Sequence, residues 1–209
     1  MVFEKIISHK KVKIFITSII CGILITSALQ SYANNIIKNI SSNVVRLHVV
    51  ANSDTDADQA LKLKVRDAIT KYLSPLFNDV SDTYETKRII EQNIENIKKE
   101  AEKTIKKYGY TYNVTVNTGN FQFPTKVYEN TTFPKGKYDA LKIVIGNGKG
   151  QNWWCVLYPQ LCFTNGNGTL SKQGEAMLKE SLSTDEYNLI TSKSKINFKL
   201  KIVELFSNQ

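Results

Sequence analysis

Residues 90–116 read IEQNIENIKKEAEKTIKKYGYTYNVTV, and a change of period inside them sets the architecture. Ile90, Ile94, Ile97, Ala101, Ile105 and Tyr108 recur at steps of three and four, the stripe of a helix with one buried face. Gly109 stands where a helix C-cap is wanted. Lysines gather toward the end of the polar face, which suits the helix dipole and marks a solvated surface. From Tyr110 the period becomes two, with Tyr110, Tyr112, Val114 and Val116 on one face of a strand.

Working outward toward the N-terminus, Val44 to Val50 is a β-branched run that reads as a buried strand. Ser53 or Asp54 then caps a helix. Its apolar stripe is Ala57, Ala60, Leu61, Val65, Ala68, Ile69, Tyr72 and Leu73, with Leu63 off the stripe, and Pro75 marks its end. In the other direction, Phe121 to Tyr128, Tyr138 to Ile145 and Asn152 to Tyr158 are further strands. Phe133-Pro134-Lys135-Gly136 supplies type I turn chemistry, and Gly146 to Gly150 reads as a glycine-rich hairpin connection. Asn165 to Gly168 breaks the chain, helices follow near 172–182 and 185–191, and Ile196, Phe198, Leu200 and Ile202 alternate as a final strand. The order predicts an α+β fold: an N-terminal strand and two helices, then an antiparallel β-meander with the helices packed on the sheet.

Composition bounds the function. With 42% hydrophobic and 22% charged residues the chain is globular. Its N-terminus has the three parts of an export signal. Lys5, Lys10, Lys11 and Lys13 come first, Ile14 to Leu29 is apolar and uncharged, and Ser31-Tyr32-Ala33 offers small residues for a cut after Ala33. That apolar run spans about 24 Å as a helix, short of the roughly 30 Å of a hydrocarbon core. The expectation is a cleaved signal peptide over 1–33, with an uncleaved membrane anchor as the alternative. Residues 34–43 form a spacer and 44–209 a single exported domain, of which 165–209 is a C-terminal extension. Removing 1–33 lowers the net charge from +9 to +6, spread over helix faces rather than clustered as a nucleic-acid protein would have it. The surplus fits a general attraction to anionic membrane or cell wall.

The residues that carry chemistry are few. His48 is the one histidine left after residue 33, in the strand Arg46-Leu47-His48-Val49-Val50, where alternation puts Arg46 and His48 on one face. No base–orienter pair accompanies it, so a structural or contact role is expected and no catalytic residue is assigned. Asp54, Asp56 and Asp58 alternate, yet an EF-hand would need Gly and Glu where Gln59 and Val65 stand. Helix-dipole complementarity accounts for them, and neither metal nor cofactor is expected. Gly146, Gly148 and Gly150 lack the sequel of a phosphate loop. Cys155 and Cys162 are expected to pair in an exported protein, closing a short loop worth about 2.5 kcal/mol; free buried thiols are the alternative. Trp153 and Trp154, adjacent on a strand, point to opposite faces, one to the core and the other to a second layer or a partner.

Three stretches carry a resemblance: Arg46-Leu47-His48-Val49-Val50-Ala51-Asn52-Ser53-Asp54, then Gln59 through Ala68, then Ile145 through Cys162 with its Asn-Trp-Trp-Cys core. Together they resemble the stage II sporulation protein R family of endospore-forming bacteria, over about residues 44–163. The resemblance implies a secreted signalling protein, made in the forespore and exported into the space between forespore and mother cell. There it would activate a membrane-embedded aspartic protease of the mother cell, of the stage II sporulation protein GA type, which removes the pro-sequence of pro-sigma-E. The expected partner is that protease, not nucleic acid. Partner-binding candidates are Arg46, His48, Asn52 and Asp54 at the strand-to-helix corner, with Lys149, Asn152 and Trp154 at the hairpin. The competing expectations are a secreted cell-wall hydrolase using Asp54 or Asp58 and a membrane-anchored structural domain.

Overall fold

Strand β1 (Val45–Val50) is buried along its whole length, as an unbroken run of large residues requires. In the computed structural model, which describes residues 9–128, 131–160 and 172–191, it is an inner strand of a four-stranded sheet. The chain divides into residues 1–39 and 40–209. The first unit holds most of α1 (His9–Ser42), a helix of 34 residues whose apolar stretch is exposed. Residues 34–42, expected as a spacer, continue that helix.

In the second unit β1 leads into α2 (Asp56–Leu73). Its N-cap is Thr55, whose hydroxyl accepts from the Asp58 N–H, one or two residues beyond the expected Ser53 or Asp54. The isoleucine stripe is divided between α3 (Thr83–Gln92) and α4 (Ile94–Lys107). Asn93 makes the break, because its side-chain amide donates to the Ile89 carbonyl while its oxygen accepts from Tyr72, in competition with the helix ladder. Gly109 ends α4 at φ +84°, and Tyr110 N–H reaches back to the Ile105 carbonyl.

The remaining strands are β2 (Val114–Phe123), β3 (Lys126–Tyr128), β4 (Thr131–Phe133), β5 (Gly136–Ile145) and β6 (Asn152–Tyr158). The expected strand 121–128 is split because Pro124, with no N–H, stops β2 at Phe123. The fold is α+β, but the sheet order β2-β5-β1-β6 is not a meander. β1 lies between β5 and β6, parallel to the first and antiparallel to the second. A strand buried on both sides of its pleat, with Arg46 and His48 on one of them, is best satisfied in the interior, where both backbone edges and both faces are covered. β3 and β4 pair only with each other, as a separate two-stranded sheet.

Gly146 to Gly150 is therefore not a hairpin between paired neighbours. It carries the chain from β5 across the end of β1 to β6. Lys149 N–H donates to Asn52 O and Gly150 N–H to Ala51 O. A Cβ on Gly150 would overlap the Ser53 carbonyl, and one on Gly146 the Asn52 side chain. The glycines let two backbones touch.

One face of the sheet buries Val45, Leu47, Val49, Leu141, Ile143, Ile145 and Leu157 against Leu61, Val65, Ile69, Ile97 and Ile105 of the helices. At about 25 cal/mol per Å2 of apolar area, this layer is the main source of stability. α5 (Lys172–Ser181) and α6 (Thr184–Thr191) form close to expectation. Cys162, the 165–168 break and the strand expected over 196–202 lie outside the described residues.

Candidate functional site

The face of the sheet turned away from the helical core carries four of the seven candidate residues. Strand register places its side chains in rows. Asn117, Lys142, His48 and Trp154 are cross-strand partners in one row, and Gly119, Ala140, Arg46 and Val156 in the next. Direct pairing of His48 with Trp154 brings their rings into a stack, centroids 3.8 Å apart and 16° from parallel. Asn152, one row on, holds a His48 ring nitrogen at 2.7 Å through its Oδ1. On the other side Lys142 sets its ammonium 5.4 Å from the Phe121 ring. Burial lowers the His48 pKa from its ordinary value, the Asn152 hydrogen bond opposes this, and nearby Lys142 adds to the lowering. The imidazole is thus neutral near pH 7. A ring held by the Asn152 amide, the Trp154 indole and the Phe123 ring is a fixed group, not a base aimed at a nucleophile.

Arg46 belongs to the same face, but it is enclosed. Phe123, Phe133 and Tyr138 surround its guanidinium with ring centroids 4.6, 5.3 and 5.0 Å away. Nε donates to Cys155 O and Nη2 to the Tyr128 hydroxyl, each at 3.0 Å. Burial lowers the Arg46 pKa, with Tyr128 and Tyr138 pulling the other way. The Tyr138 phenol is pushed up to about 12, again by burial. Small residues on either flank, Ala140 and Val156 in its own row, leave room for these rings.

Asn52, Asp54 and Lys149 meet at the crossing. Asn52 Oδ1 accepts from Asn147 N–H, and its amide donates to Asp58 at 2.8 Å. Asp54 accepts from Gln151 N–H at 2.7 Å. Asp58, absent from the expected set except as an acid, is the hub. Burial raises its pKa, but hydrogen bonds from Ser53, Asn52 and Tyr112 outweigh that and hold the carboxyl below the usual range. Lys62 donates to Gln151 O and Gln59, tying α2 to the start of β6. These groups fasten the corner, with Asp54 and Lys149 both exposed to solvent. The corner adjoins the His48 face where Val50 pairs with Asn152.

Trp153 turns to the helices, with Arg66 4.2 Å above its ring, and Trp154 to the open face, as alternation requires. Cys155 is buried with Leu47 and Leu157 in the helical core, and its backbone carbonyl accepts from Arg46. A family model described as stage II sporulation protein R matches residues 41–168. The chain belongs to that family. Stage II sporulation protein R of Bacillus subtilis (strain 168) is 41% identical over 137 residues, covering 65% of this chain and 61% of that protein. The alignment thus spans under two thirds of the curated relative's length. No solved structure matches. This is a sporulation protein by family, and the matched segment runs from the end of α1 through β6. It contains the crossing, the His48 row and the Arg46 enclosure entire.

Sequence reading missed Phe123, Tyr128 and Tyr138 around Arg46, and Lys142 beside His48. An arginine in a buried strand was the available signal, since such a group must find partners. Which partners depends on register between strands far apart in the chain, which no local pattern records.

Proposed function

We propose that this protein is an exported, non-enzymatic ligand of sporulation that activates a membrane-embedded aspartic protease of the stage II sporulation protein GA type and so starts pro-sigma-E processing. Family membership and the N-terminal apolar helix support the reading. The observation that carries it is the His48 row: an aromatic, amide and basic patch held rigid by cross-strand stacking, in which His48 is buried, Lys142 and Trp154 are half-buried and Asn152 is exposed. Such a ligand acts by binding the active state of the protease more tightly than the inactive one. Asp58, kept ionised by Ser53 and Asn52, suits an acceptor in the corner better than the acid of a hydrolase.

The test is pro-sigma-E cleavage in a non-sporulating host that expresses protease and substrate, with and without this chain. Cleavage only with the exported chain is the expected result. Alanine at His48, Lys142, Asn152 and Trp154 should reduce it by about tenfold or more, as loss of a central aromatic contact does. Unchanged cleavage by the folded quadruple variant would place the contact elsewhere. α1 is apolar enough over 11–42 to cross a membrane by length and composition. A mature mass beginning at Asn34 would identify it as a cleaved signal, and the uncut mass as an anchor.

A further inference from the structure

Arg46 is fully enclosed, and among the described residues its Nη1 has no hydrogen-bond partner. Among the same residues it meets no carboxylate: aromatic rings surround it, the Cys155 carbonyl and Tyr128 hydroxyl accept from it, and the Tyr138 phenol lies near. A guanidinium keeps its charge, and burying one without a counter-charge costs several kcal/mol. A methionine of similar volume would fill the space without that cost.

The cover over this charge is two short strands, of which β4 buries Phe133 and Thr131 and meets α6. β3 and β4 are three residues each and pair with no other strand, an arrangement marginal in isolation. Val127 in β3 is 74% exposed. Among the described residues, the side-chain hydrogen bonds from these strands to the main sheet are the two made by one hydroxyl: Tyr128 accepts from Arg46 and donates to Trp154 O at 3.2 Å. Trp154 is the residue stacked on His48, so cover and open surface share a backbone.

We propose that β3 and β4 are a displaceable cover, and that a carboxylate on an extended segment of a protein partner replaces the Tyr128 hydroxyl on Arg46. This rests on the reading of the chain as a protein ligand, and it names the partner's chemistry. A carboxylate engages two guanidinium nitrogens at once, which satisfies Nη1 as well as Nη2 and supplies the missing negative charge. Phe123 and Tyr138, on β2 and β5, stay as walls when β3 and β4 move. The acidic segment then lies beside Trp154 and continues the surface formed by the His48 row.

The experiment uses the full-length chain in neutral detergent, with the decapeptide (Glu-Ala)5 as probe and (Gln-Ala)5 as control. Tryptophan fluorescence reads binding, and hydrogen exchange reads the amides of β3 and β4. The acidic peptide should bind and speed exchange in both strands, and the control should do neither. Tyr128→Phe, which removes the latch, should bind about fivefold more tightly because less free energy goes into opening. Arg46→Met should lose affinity by about tenfold or more while unfolding no earlier than wild type. Should that variant fail to fold, Arg46→Lys keeps the charge without the two-pronged geometry and should also bind about tenfold more weakly. Equal binding by Arg46→Met, equal binding of the control peptide, or no binding by either wild type or Tyr128→Phe overturns the proposal. Wild-type processing of pro-sigma-E by folded Arg46→Met also overturns it. Peptide binding without any processing by the wild-type chain supports the cover and faults the signalling reading instead.

Discussion

A single methyl group at position 150 would collide with the Ser53 backbone, which has nowhere to retreat. Gly150→Ala is therefore expected to destabilise by about 3 kcal/mol or more, measured by urea unfolding. Gly109→Ala is the contrasting case: space surrounds it, and φ +84° is its only difficulty, so about 1 kcal/mol is expected. At His48 the sign of the pH effect follows from burial. Its folded pKa lies below the unfolded value of about 6.5, so the neutral form stabilises the fold. That contribution is complete above pH about 6.5 and is lost as pH falls through the folded pKa. Unfolding at pH 7.5 and 5.0 should show the loss, and His48→Gln should flatten it. An equal slope in both proteins would remove His48 as its source.

At the scale of elements, the corner between β1 and α2 is held by Asp58 as much as by the helix cap. Asp58→Ala leaves the Ser53 hydroxyl and Asn52 amide without their acceptor, and a loss of about 2 kcal/mol is expected on chemical unfolding. Elements defined by near neighbours were legible in the sequence. Gly109 closes α4 where the stripe said a helix must stop, and β6 spans the expected Asn152–Tyr158. The break at Asn93 was not, because an asparagine in a helical period gains its meaning from Tyr72, a residue of another helix. The glycine crossing was misread for a related reason. Glycines at a hairpin and at a backbone contact look alike until the third strand is known.

For the molecule as a whole, the mixture of helices and strands did not disclose the order of the sheet. The pairing of β1 with both β5 and β6 is set by how completely Val45–Val50 is buried, a property of the finished sheet. Buried core residues begin at Ile40, so a chain starting at Asn34 is expected to melt within about 2 °C of the full-length protein in the same detergent. A larger drop would show that α1 carries stability of its own. The pairing of Cys155 with Cys162, proposed from export, has a direct check. In full-length protein denatured without reductant, a thiol reagent is expected to label Cys21 alone.

The central place of β1 has a consequence in time. Val45 pairs with Asp139 and Tyr158, so this strand has no neighbour until β5 has been made and lacks its second until residue 158. Contacts so remote in sequence delay folding, because a long loop must close before any pairing rewards it. An apolar strand waiting this long is a hazard where ribosomes are crowded, but it suits a polypeptide threaded through a narrow translocation channel, which needs its cargo loose. For the export proposed above, such a topology would favour a chain that is still loose when it reaches the membrane.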